Sequence, residues 1–218
     1  MEFYLRKVYP WLVEASSISI GIPLLVGAFL ITKRSSLLFK LLLLYTAFVA
    51  LTELAGQLTV YLGTDNNIWL SHISTPVEFT LIAAIFYYNL NNRLAKKGIV
   101  VATAVFFVCT ISNVIWGEGI TQMNSMPRLF GGAAMISMAV MYFYQTANEL
   151  KYTYLDRDPM FLLSSGLIIY EAGIAVAYSM FNKALAESYD AARMCITVLL
   201  VLNIFIRIVL MLAMKRSS

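Results

Sequence analysis

Seven apolar runs, each near the length of a membrane-crossing helix, constrain this chain more than any other feature of it. A bilayer core ~30 Å thick is crossed by a helix of about 20 residues. The runs fall at 9–31, 37–62, 68–90, 98–116, 128–148, 160–181 and 193–214. The breaks between them are polar and short: Lys33–Ser36, Gly63–Asn67, Asn91–Lys97, Gly117–Ser125, Lys151–Asp158 and Asn182–Ala192. No soluble domain fits in such links, and consecutive helices must be antiparallel neighbours. The expected fold is all-α, one domain over 1–218, a bundle of seven transmembrane helices. Composition agrees, because 13% of the 218 residues are charged against about 25% in a soluble domain. The net charge of +4 comes from basic residues at span ends and forms no patch. The bilayer is therefore the expected partner, and nucleic acid is not.

Lysine and arginine near span ends favour the cytoplasm. Ten lie on one side (Lys33, Arg34, Lys40, Arg93, Lys96, Lys97, Lys151, Arg157, Lys215, Arg216) and five on the other (Arg6, Lys7, Arg128, Lys183, Arg193). The split predicts an outside amino terminus, a cytoplasmic carboxy terminus and a multi-pass place in the inner membrane. Arg6 and Lys7 lead into a long first span without a small-residue cleavage site, so no cleavable signal is expected. Pro23 and Pro76 should kink the first and third spans and free carbonyls for neighbours to satisfy. Trp11, Trp69 and Trp116 sit at the predicted outer ends, as in an aromatic belt. Gly166, Gly173 and Ala177 share one face of the sixth span and should let a neighbouring helix approach closely. Asp158-Pro159 reads as an N-cap and first-turn proline. Cys109 and Cys195 lie in apolar runs and read as small packed hydrophobes.

What the chain does must be argued from polar side chains inside the spans. Charges at such depth cost roughly 2.5–3.5 kcal/mol each, so they face partners or cavities. Helical spacing puts Thr46, Glu53 and Gln57 on one stripe, Ser71, Thr75, Glu78 and Asn89 on a second, and Ser164, Glu171 and Tyr178 on a third. Asn203 and Arg207 lie four apart in the last span, where Arg207 could simply extend to the interface. Counted from the outer ends, Glu53 is nine residues deep, and Glu78 and Glu171 are ten. At 1.5 Å per residue all three share a level ~14 Å below the outer surface. His72 and Asn113 lie above that level and Arg128 near the mouth. The expectation is an outward-facing polar pocket with Glu53, Gln57, His72, Thr75, Glu78, Asn113, Arg128, Glu171 and Tyr178 as ligand-binding residues. The short link 63–67 further suggests that Glu53 and Glu78 meet at one height and titrate as a pair.

Several chemistries find no residues to carry them. Residues 193–214 contain no lysine for a retinal, and a single histidine is too few for a histidine-rich metal site. No G-x-S-x-G nucleophile motif appears, none of the five prolines precedes a glutamine, and spans one to three do not repeat in five to seven. Neither metal nor cofactor is expected. Three readings follow. The favoured one is a receptor-like or sensory membrane protein that binds a small ligand and needs a cytoplasmic or membrane signalling partner. The second is an intramembrane enzyme on a lipid or isoprenoid, with Glu53 and Glu78 as acid and base and His72 assisting. The third is a small-solute or proton-coupled transporter.

The runs L-T-E-L-A-G at 51–56, W-L-S-H-I-S-T-P-V-E-F at 69–79, D-P-M-F at 158–161 and S-G-L-I-I-Y-E-A-G at 165–173 carry a resemblance. The chain resembles a group of small seven-helix integral membrane proteins common in Bacteroidota, over most of its length at low identity. The resemblance implies a fold and no activity, and it singles out Glu53, His72, Pro76, Glu78, Asp158 and Gly166. A shorter run, P-V-E-F-T-L-I at 76–82, is similar to the P-x-E motif of small membrane lycopene cyclases.

Overall fold

The computed structural model describes residues 3–64, 67–120, 122, 124–149 and 154–217. Parts of the predicted breaks Gly63–Asn67, Gly117–Ser125 and Lys151–Asp158 lie outside them. Among the described residues eight α-helices carry the fold: α1 (Tyr9–Ser19), α2 (Gly21–Leu30), α3 (Leu37–Tyr61), α4 (Ile68–Asn89), α5 (Arg93–Trp116), α6 (Ser125–Glu149), α7 (Pro159–Glu187) and α8 (Tyr189–Arg216). A π-helical turn over Tyr4–Val8 joins α1 and α2 in one span, Tyr4–Leu30. With it, seven segments among the described residues are long and apolar enough to cross a membrane. The chain is an all-α, multi-pass membrane protein.

The helices outrun the apolar runs that announced them. The fourth span starts at Arg93 and not 98, the sixth reaches Glu187 and not 181, and the last starts at Tyr189 and not 193. The predicted break Asn182–Ala192 is helical except at Ser188. Hydropathy marks where charge becomes costly, whereas a helix ends where its backbone is capped. Asn92 accepts from the amides of Leu94 and Ala95. Ser188 accepts from Ala191, and Asp158 accepts from Met160 at 3.0 Å as the N-cap of α7. Both cysteine thiols are free.

The two internal prolines act differently. Pro23 cannot donate to Ser19, and the first span breaks at Ile20 between α1 and α2. The Ile20 amide turns back to the Ile18 carbonyl, which leaves the Ser16 carbonyl for other donors. Pro76 sits inside α4 without interrupting it, and its own carbonyl accepts from the Thr80 hydroxyl at 2.7 Å.

Packing divides the bundle by height. α7 runs between α6 and α8, α8 also carries α1 and α2, and α4 meets α3, α5 and α6. Phe39 and Leu42 of α3, Phe79–Phe86 of α4, Met135–Tyr142 of α6, Met160–Leu167 of α7 and Leu210–Met214 of α8 fill the half toward the carboxy-terminal face. Phe79 stacks on Phe106 there, with centroids 4.1 Å apart. Glu53, Glu78, Glu171, Arg128 and Arg207 occupy the other half.

Glycines of α7 set the approach to α8. A Cβ on Gly166 would sit 2.6 Å from Cγ1 and 2.9 Å from Cγ2 of Val209, and one on Gly173 would sit 2.6 Å from Leu202. Val209 is β-branched and cannot swing aside. Gly166→Val is therefore expected to cost about 1–3 kcal/mol in an SDS unfolding titration, and Val209→Ala in the same chain should restore part of it. An unchanged midpoint for the single variant would show that α8 moves freely.

Candidate functional site

A cavity of about 710 Å3 lies in the half of the bundle nearer the amino terminus, within the ~300–1,000 Å3 of small-molecule sites. α1, α3, α4, α6, α7 and α8 wall it, and α5 contributes nothing to its lining. It reaches from exposed Tyr61 and Asn67 to buried Tyr45 and Leu210. Below these the apolar core takes over. The single residue that α6 contributes is Arg128, which makes the first of two ion-pair centres.

Arg128 stands in the first turn of α6, buried, with Nη1 3.6 Å from Glu78 of α4 and Nη2 3.4 Å from Glu171 of α7. One guanidinium thus ties three helices. Gly132, one turn further along α6, makes room, since a Cβ there would meet Glu171 Oε2 at 2.9 Å. That oxygen is buried and has no hydrogen-bond partner among the described residues. Arg128 is also 5.9 Å from the ring centroid of Tyr170, whose hydroxyl donates to Asn203 of α8 at 2.9 Å.

The entry of α6 is fixed by a residue that the sequence reading passed over as part of a break. Glu118 accepts from the Ser125 hydroxyl, from the Ser125 amide at 2.9 Å and from Asn113 Nδ2 at 3.0 Å. Partial burial pushes its carboxyl up, but these bonds and one from the Met126 amide outweigh it and hold the group below its ordinary range. Ionised Glu118 at the amino-terminal end of α6 also suits the helix dipole.

Arg207 of α8 makes the second centre. Its Nη2 lies 3.2 Å from Glu53 of α3, and its Nη1 donates to the Ser16 carbonyl and, at 2.9 Å, to the Ser19 hydroxyl of α1. The carbonyl freed by the break at Ile20 is thus satisfied by a guanidinium from the far end of the sequence. Glu53 also accepts from the Ser17 hydroxyl, which in turn accepts from Gln57 Nε2 at 2.8 Å. Ser16, Ser17 and Ser19 entered no earlier stripe, although three serines within four residues of an apolar span were the available signal.

Of the nine expected ligand-binding residues, Glu53, Gln57, Thr75, Glu78, Arg128 and Tyr178 line one cavity. Glu171 stands behind Arg128, outside the lining. His72 is turned away, its Nε2 3.1 Å from the Gln122 carbonyl, and Asn113 holds Glu118. Both meet the segment between α5 and α6 instead of the cavity. Arg128 is buried in the cavity wall and not at the mouth. Arg207 is buried at 4% exposure and does not extend to the interface. The expected Glu53–Glu78 pair is corrected too: each carboxylate has its own arginine, and the two that share a guanidinium are Glu78 and Glu171. Among the described residues no group of three metal-ligating side chains comes together.

No protein family, curated protein or solved structure matches the chain. The function is therefore argued from this geometry.

Proposed function

We propose that the chain is a receptor-like membrane protein that binds a small polar ligand in the six-helix cavity and reports occupancy to a cytoplasmic or membrane partner. The carrying observation is a cavity with two arginine–glutamate centres on its wall and a closed apolar core beneath it. A transporter is the less favoured reading, because the cavity lining ends at Tyr45 and Leu210. An acid–base pair for an isoprenoid enzyme is disfavoured because Glu53 and Glu78 are held by different arginines. α1 is the natural reporter, since it rests on α8 and joins α3 by way of Glu53 and Ser17. The proposal includes the orientation, with the amino terminus outside the inner membrane, and the likeness to the Bacteroidota seven-helix group.

The test uses chains without Cys109 and Cys195 that carry Thr75→Cys or Asn203→Cys. A membrane-impermeant methanethiosulfonate should label both from outside intact cells and neither in inverted vesicles. Labelling from both sides would replace the receptor by a transporter. Labelling in inverted vesicles alone would reverse the orientation.

A further inference from the structure

The centres are unequal in charge and in access. Three carboxylates, Glu53, Glu78 and Glu171, face two guanidinium groups. The accessible charge on the cavity wall is also carboxylate: the side chains of Glu53 and Glu78 are 31% and 19% exposed, against 5% for Arg207 and 9% for Arg128. Each arginine is thus less exposed than the cavity-lining carboxylate it holds. Tyr45, Tyr170 and Tyr178 line the same space, and aromatic walls favour organic cations over anions.

We infer that the ligand is a small organic cation, an amine whose ammonium group seats between the exposed edges of Glu53 and Glu78. This rests on the ligand-binding reading above and adds the sign of the ligand. A carboxylate or phosphate would have to displace Glu78 or Glu171 from Arg128 before meeting a positive charge. An ammonium meets the exposed carboxylates directly.

Phenethylamine, 2-phenylethanol and phenylacetate match in shape and differ in charge. Each is tested, on the purified chain in detergent, for protection of Thr75→Cys (in the background without Cys109 and Cys195) against methyl methanethiosulfonate, a small neutral thiol reagent. Phenethylamine should protect at concentrations at least tenfold lower than phenylacetate, with the alcohol between them. Glu78→Gln should shrink that preference at least tenfold, and Glu53→Gln gives the same readout if Glu78→Gln does not fold. Protection by phenylacetate or the alcohol at equal or lower concentration would overturn the cation and leave the pocket standing. So would ready labelling that none of the three slows, or a preference unchanged in both variants. A cysteine that is not labelled at all would sink the pocket reading together with this one.

Discussion

Arg128→Met is expected to destabilise the bundle by about 3–5 kcal/mol, the cost of removing one partner from a buried ion pair. The size follows from what is left behind. Glu171 is 2% exposed with one oxygen already unpartnered, so loss of the guanidinium leaves a buried carboxylate with nothing to answer it. Glu78 is better placed, because its 19% exposure opens on the cavity. The double variant Arg128→Met, Glu171→Met should therefore recover a large part of the loss, whereas Arg128→Met, Glu78→Met should recover less. SDS or urea titration in mixed micelles reads both. Equal recovery by the two would mean that the carboxylates are interchangeable and that Gly132 does not confine Glu171.

Arg207→Met is expected near the lower end of the same range of about 3–5 kcal/mol. Glu53 is 31% exposed to the cavity and keeps the Ser17 hydroxyl, and the Ser16 carbonyl keeps a bond from Ser19 at 2.6 Å. The distinguishing effect is local. Without the fork that grips Ser16, Ser19 and Glu53 at once, α1 should exchange its backbone amides faster while α3 to α6 stay protected. Arg207→Lys keeps the charge but lacks a planar fork, so it should fall between the parent and Arg207→Met. Uniformly faster exchange would show that Arg207 holds the whole bundle and not one helix.

Much of the fold was legible because hydropathy in a membrane chain acts residue by residue. Spans, the cap at Asp158, the break at Pro23 and the close approach at Gly166 each depend on a few neighbouring residues. Of the stripe Ser71, Thr75, Glu78 and Asn89, the first three line the cavity, since helical period decides which residues share a face. Asn89 lies too far along α4 and bonds to the Ile85 carbonyl. The pairing of charges was not legible. Height along a helix can be counted from its ends, but rotation about its axis is set by neighbours, and a rotation sent Glu53 to Arg207 and Glu78 to Arg128. Arg207 looked free to reach the interface because nothing in its own helix shows that a serine carbonyl in α1 has lost its backbone amide. Gly132 was silent for a similar reason: its role is the space it leaves for a carboxylate 39 positions later.

The grip of Arg207 on α1 also orders events during synthesis. Glu53 and its guanidinium are 154 residues apart in the chain, a delay of roughly 10–30 s at about 5–20 residues per second. Throughout that interval the nascent helices hold a carboxylate and a loosened serine carbonyl whose arginine does not yet exist. α1 can be gripped by this arginine only after α8 has been made.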